Sequence, residues 1–223
     1  MLTHDHAKPV SQYEQIINTT QIKAEAIGMM SNCDGWCSAQ KGVYLVDLVL
    51  KSKPECIVEI GVYGGKSLIP MARALKANKI GVAYGIDPWD PIESVKETME
   101  EANRNFWQSL DHQLIKQRLI ENICKFGLQE QVVLLQTTSE EANPIPEIGL
   151  LHIDGNHSEK TSYHDVTKWV PFVKKGGYII LDDMTWYEKG NFTTAKAAQW
   201  LDENCDKFAE FTDGCKWGVW VKR

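Results

Sequence analysis

The sequence predicts a doubly wound α/β domain, and three observations carry that prediction. Residues 57–67, Ile-Val-Glu-Ile-Gly-Val-Tyr-Gly-Gly-Lys-Ser, run from an apolar strand pattern through a glycine turn into a helical pattern. Five short apolar runs follow one another with helical segments between them, which calls for a parallel sheet covered on both faces. Runs one, two, four and five close on carboxylates: Glu59, Asp87, Asp154 and the pair Asp182-Asp183. Ligands of open α/β sheets bind at the carboxyl ends of strands, so these acids mark the functional edge.

In chain order, residues 1–12 are polar and are expected to be loose, His4 and His6 included. Ile16, Ile17, Ile22, Ala26 and Met29 give 13–30 a helical spacing, and a loop over 31–38 follows. A buried helix is predicted over 42–50, stopped by Lys53-Pro54, and then a first strand over 56–60. The helix after the glycine turn should span 66–77, with Leu68, Ile69, Ala72 and Leu75 inward. Pro70 falls in its opening turns, where a missing N–H costs little. A second strand over 82–87 leads into a long connection, 88–131. Its first part is charge-rich, and its second part sets Phe106, Leu110, Leu114, Leu119, Ile120 and Ile123 at helical spacing. A connection of that length is expected to add a lid or substrate wall to the crossover helix. Strands over 132–136, 149–154 and 178–183 follow, with a helix over 159–170 and a tight turn over 174–177. A helix over 193–205 and a hairpin, 208–212 with 216–221 around Asp213-Gly-Cys215, complete the pattern. We divide the chain into an N-terminal helical extension, 1–41, and one domain, 42–223, with a helical insertion at about 88–131.

A net charge of -6 argues against a nucleic-acid face, which needs a basic surface. No apolar run reaches membrane-spanning length, and the N-terminus has no signal-peptide pattern. The six cysteines are scattered, without a second pair to complement Cys33 and Cys37 as a zinc site, and read as reduced thiols of a cytoplasmic protein. A homo-oligomer is left open.

The glycine turn is not G-x-G-x-x-G but Glu-x-Gly-x-x-Gly-Gly. An acid just before the turn repels a pyrophosphate and suits a ligand with hydroxyls and a cationic amino group, S-adenosylmethionine rather than a dinucleotide. With 71–75 (Met-Ala-Arg-Ala-Leu), 151–157 (Leu-His-Ile-Asp-Gly-Asn-His) and 175–183 (Lys-Gly-Gly-Tyr-Ile-Ile-Leu-Asp-Asp), this motif resembles the class I S-adenosylmethionine-dependent methyltransferases. It looks closest to the metal-dependent O-methyltransferases of the catechol and macrolide- or novobiocin-sugar types, over residues 42–222. The resemblance implies a Rossmann-like seven-stranded sheet with the last strand antiparallel and helices on both faces. It implies that the turn Gly61, Val62 and Tyr63 lines the methionine end, with Ser67 near its carboxylate, while Glu59 is the acid before the turn that suits the amino group. Asp87 would bind the ribose hydroxyls, and Ser139 and Glu140 would meet the adenine. Trp89 departs from the catechol pattern and either stacks on the adenine or anchors the long connection.

Asp154, Asp182 and Asp183 close adjacent predicted strands, and three converging carboxylates repel unless a cation neutralises them. Their hard oxygens point to a divalent metal, magnesium first. Such an ion would chelate an acceptor hydroxyl and lower its pKa. His157 stands where the catechol-type enzymes place a lysine base. It is read as proton acceptor, metal ligand or packing residue, with Asp154 the alternative base. His152 reads as a core histidine, His164 as a surface residue and Asp165 as a structural hydrogen-bonder. Trp186 and Trp36 are candidates for walls of the acceptor pocket. The leading expectation is an O-methyltransferase for a small hydroxylated molecule, phenolic or sugar-like. A metal-independent N- or C-methyltransferase, a non-catalytic cofactor-binding protein and a dinucleotide oxidoreductase are the rivals.

Overall fold

The computed structural model describes residues 12–97 and 100–223. His4 and His6 lie outside the described residues. The element order is α1 (Gln12–Met30), α2 (Ala39–Ser52), β1 (Cys56–Ile60), α3 (Leu68–Asn78) and β2 (Val82–Asp87). The long connection holds α4 (Pro91–Ser94), α5 (Glu101–Gln108) and α6 (His112–Lys125). Then come β3 (Val132–Gln136), β4 (Ile148–Ile153), α7 (Glu159–Trp169), β5 (Val173–Leu181) and a small hairpin of β6 (Tyr187–Glu188) and β7 (Asn191–Phe192). The last elements are α8 (Ala195–Asn204), β8 (Cys205–Asp213) and β9 (Cys215–Lys222).

Seven strands form one sheet in the order β3-β2-β1-β4-β5-β9-β8. The first five pair in parallel, and β9 enters antiparallel between β5 and β8. This is the expected Rossmann-like sheet with its last strand antiparallel. The order reverses between β1 and β4, so β1 opens toward β2 on one side and β4 on the other. That reversal point is where the acids at the strand ends gather.

Two apolar layers cover the sheet. On one face, Leu45, Val49, Leu68, Ile69, Leu75 and Trp217 join α2, α3 and β9 in a fully enclosed core. On the other, Val58, Leu151, Val166, Trp169, Ile179, Leu201 and Trp220 close the sheet against α7 and α8. Strand β4 is buried along its whole length, as a central parallel strand must be.

Several local expectations are corrected. The long connection breaks into separate helices because Asp111 accepts from the Leu114 N–H and caps α6, so no single helix continues from Phe106. The buried stripe of α6 is Ile115, Leu119 and Ile123, whereas Phe106, Leu114 and Ile120 are exposed. Residues 174–177 do not leave the sheet in a tight turn. They lie within β5, where Gly176 takes φ +77° and the pairing with β4 shifts register between Ile148 and Leu150. Helix α3 begins two residues later than expected, after Ser67. The helix expected over 42–50 starts at Ala39, capped by Ser38, whose hydroxyl accepts from Lys41 N–H and donates to Asp213 at the end of β8. Among the described residues no helix is long and apolar enough to cross a membrane.

Candidate functional site

The glycine turn is built by close approach of backbones. Gly61 has φ +84°, and a Cβ there would overlap the Asp154 carbonyl oxygen. Its N–H donates to Ile86 O at 2.9 Å, while Asp154 N–H donates to Ile60 O at 2.8 Å. Only glycine lets the ends of β1, β2 and β4 meet this tightly. Gly65, at φ +79°, has Leu119 of α6 pressed against the space a Cβ would need. Tyr63 between them holds φ +49°. Its N–H donates to Asp87 Oδ2 at 2.9 Å, and Trp89 N–H donates to Asp87 Oδ1 at 2.7 Å. Asp87 thus braces the turn. Burial raises its carboxyl pKa, against the opposing pull of the backbone N–H groups of Tyr63, Trp89 and Val62.

Val62 is buried, and the Trp89 side chain is enclosed, its Nε1–H donating to Tyr63 O at 2.9 Å. Trp36 instead stands 67% exposed and stacks on Tyr63 at 5.0 Å between ring centroids. Beside the β2 and β3 ends, a cavity of about 390 Å3 opens between Pro88, Asp90, Gln136, Thr137 and Thr138. Ser139 follows that loop and is nearly buried. Its hydroxyl donates to Asp165 Oδ1 at 2.5 Å, and its carbonyl accepts from Lys168 Nζ and Trp169 Nε1–H. Glu140 is exposed. Asp165, a hydrogen-bonder as expected, is pushed by burial to a pKa of about 7. His164 is only partly exposed, and its Nε2 is enclosed without a partner among the described residues, contrary to the surface position expected.

Beneath the turn runs a buried polar chain that sequence reasoning left unassembled. Ser67 Oγ donates to Glu59 Oε1 at 2.5 Å, and the same oxygen faces His152 Nδ1 at 2.7 Å. Glu59 Oε2 is buried with no hydrogen-bond partner among the described residues. The other ring nitrogen, His152 Nε2, lies 3.0 Å from Lys41 Nζ and 3.2 Å from Asp182 Oδ2. Lys41 donates to Asp182 Oδ2 in a fully enclosed ion pair. Burial works against the Lys41 ammonium, but Asp182 and Asp154 outweigh it and hold its pKa above the usual lysine range. Burial likewise opposes the Asp182 carboxylate, yet Lys41 and His152 depress its pKa well below the usual value. His152 is the core histidine expected, with polar partners on both nitrogens. Lys41 was the residue missed. Its signal was its place on the apolar stripe of α2, four residues before Leu45 and seven before Leu48.

Asp154 and Asp183 complete the centre. Asp154 is half-buried. Burial, then Asp182 and Asp183, raise its pKa far above the ordinary range despite Lys41. Asp183, at φ +48°, turns outward, and His157 Nε2 lies 3.0 Å from its Oδ2. The imidazole of His157 lies beside the indole of Trp186, with centroids 4.6 Å apart. One ligand atom each from Asp154, His157 and Asp183, and likewise from His152, Asp154 and Asp182, fall within 4.8 Å of one another.

The comparisons with known proteins fit this geometry. Residues 58–184, more than half of the chain, match the family model described as a methyltransferase domain. The fold is similar to that of the O-methyltransferase NovP, at 17% identity over 93% of this chain and 99% of that one, with a TM-score of 0.67. It is also similar to the O-methyltransferase TomG from Streptomyces achromogenes, solved with S-adenosylmethionine (14%, 96% and 99%, TM-score 0.61). A third similar structure is an O-methyltransferase from Bacillus cereus (15%, 98% and 94%, TM-score 0.59). At these identities the likeness speaks to the fold, and the family match speaks to the chemistry. Glycine turn, carboxylate-lined strand ends and family model agree: the chain belongs to the methyltransferase-domain family and is a class I S-adenosylmethionine-dependent methyltransferase.

Proposed function

We propose that this enzyme transfers the methyl group of S-adenosylmethionine to a hydroxyl of a small acceptor, phenolic or sugar-like, at a centre that takes a divalent cation, magnesium first. The observation that carries the reading is the convergence of Asp154, Asp183 and His157 at the end of β4 and β5, beside the glycine turn. The residues fit both groups. An orphaned carboxylate oxygen, Glu59 Oε2, lies under the turn and suits a ligand bearing a cationic amino group. The cavity beyond Pro88 is of a size that small ligands occupy, and Asp87 stands at its strand end. In this reading Gly61, Val62, Tyr63 and Ser67 serve the methionine end and Asp87 the ribose. Ser139 and Glu140 border the base. Trp89 is read as the anchor of the connection, because its ring is enclosed.

Hard carboxylate oxygens of Asp154, Asp182 and Asp183 match magnesium. When bound, the ion supplies Lewis-acid stabilisation of an acceptor oxyanion. The chain's own residues do the rest. His157 is the proton acceptor, held in place by the Asp183 carboxylate at 3.0 Å, a base oriented by an acid. Trp186, packed on His157, and Trp36, stacked on Tyr63, wall the acceptor and exclude water. Positioning of the hydroxyl against the sulfonium methyl supplies much of the rate.

The test is transfer of labelled methyl from S-adenosylmethionine to a panel of catechols and sugar diols. Chelation with EDTA should abolish turnover and added magnesium should restore it. Full turnover in chelator would remove the cation from the mechanism.

A further inference from the structure

Asp182 is the most deeply enclosed carboxylate of the acidic centre, at 4% exposure, and its Oδ2 is taken on two sides. Lys41 Nζ donates to it, and His152 Nε2 lies 3.2 Å away. Its Oδ1 faces Cys215 Sγ at 4.0 Å. Lys41 is itself 3% exposed and reaches in from α2. A buried ion pair of this kind is costly to break one partner at a time, because the survivor keeps an uncompensated charge. Asp154 and Asp183 differ. Both are only partly buried by the protein surface around them, and among the described residues neither forms an ion pair with a lysine or arginine, although Asp154 is hydrogen-bonded to Asp182. The three carboxylates therefore do not form one equivalent set.

We propose that Lys41 is the resident cation of the acidic centre and that, by pairing with Asp182, it withholds that residue from a divalent ion, leaving Asp154 and Asp183 as the carboxylates open to one. The inference rests on the reading that the centre takes a divalent cation, and it changes which residues hold it. Lys41 acts as a positioning residue: it fixes the Asp182 carboxylate and sets how much negative charge an incoming ion meets. Two carboxylates with water completing the shell are an ordinary way to hold magnesium. The site should accordingly be a hydrated, exchangeable one.

The experiment is manganese binding to the full chain, read by the loss of the free-ion electron paramagnetic resonance signal, with S-adenosylhomocysteine calorimetry alongside. Lys41→Met removes a positive charge and releases Asp182, so manganese should bind on the order of tenfold more tightly, the scale on which neighbouring groups tune metal sites. Lys41→Met/Asp182→Leu removes the pair together. Net charge in the centre is then unchanged and no buried charge is left alone, so this variant should fold and bind manganese as the wild type does. Asp154→Asn should weaken binding in either background. Loss of manganese from the double variant would make Asp182 a ligand and overturn the proposal. Unchanged affinity in Lys41→Met would overturn the competition it rests on. Absence of binding in wild type and Lys41→Met alike would sink the divalent-cation reading itself and the inference with it, whatever the calorimetry shows for the cofactor.

Discussion

Asp154 and His157 sit three residues apart on the loop that leaves β4, and the loop gives them different work. Asp154 faces two other carboxylates, so its charge is the least favourable in the centre. His157 turns toward Asp183 and solvent, with Trp186 against its ring. Proton transfer by a positioned group contributes about 10²–10⁴-fold to a rate. His157→Ala should lower turnover within that range at neutral pH and leave S-adenosylhomocysteine affinity at the wild-type level. Raising the pH should recover part of the loss, because the acceptor hydroxyl then ionises without help. Steady-state kinetics across pH with calorimetry on the same variant decide it: unaffected turnover would leave His157 a packing residue. At this scale the sequence disclosed the acids, because a carboxylate closing an apolar run is visible in one dimension. Lys41 was not visible as part of the site. It lies 113 residues from Asp154 in sequence, and nothing local tells a lysine on a helix stripe that its ammonium will meet Asp182.

Helix α6 is the element that joins the long connection to the glycine turn. Leu119 is fully buried and fills the space that a side chain at Gly65 would otherwise need. Asn122 Nδ2–H donates to Asn32 O at 2.9 Å, and Lys66 Nζ donates to Gly35 O at 3.0 Å, so α6, the turn and the loop before α2 are clasped together. The connection therefore supports the turn from outside. Leu119→Ala should cost about 2–5 kcal/mol of stability, as other buried leucines do. Because the cavity opens against Gly65, cofactor affinity should fall as well. Urea denaturation and calorimetry measure the two effects, and a stability loss with unchanged affinity would separate α6 from the turn. The sequence disclosed that a helix would occur here, and of the six apolar residues it set at helical spacing Leu119 and Ile123 lie on the buried stripe. The three apolar residues Phe106, Leu114 and Ile120 stand at helical spacing but are exposed, because Asp111 starts a new helix with its own phase. A capping aspartate inside a periodic pattern is easily read as one more surface charge.

Across the whole molecule, the sheet was legible because its signals are redundant: apolar runs, glycine turns and terminal acids each mark the same strand ends. The place of β9 is not written in its own residues. A hairpin signal says that two strands pair, and only the family resemblance put the last one antiparallel in the sheet. In the structure β9 lies inside, hydrogen-bonded to β5 along Tyr178–Val221 through Leu181–Gly218 and to β8 on its other side. Its Trp217, Val219 and Trp220 are enclosed, one face in each apolar layer.

That placement has a consequence for synthesis. Every other strand leaves the ribosome before β9 does, so the nascent chain holds β5 with one side unpaired until residues 215–222 emerge. An apolar strand waiting at an open edge is a site for pairing with another chain. The acidic centre waits too, because Lys216 O accepts from Met184 N–H just past the Asp182-Asp183 pair. A chain ended at Asp213 should therefore recover as aggregate while the full-length chain stays in solution, which sedimentation of the two after expression would show. If the shortened chain is monomeric and binds S-adenosylhomocysteine, the earlier strands assemble without β9, and its late arrival carries no hazard.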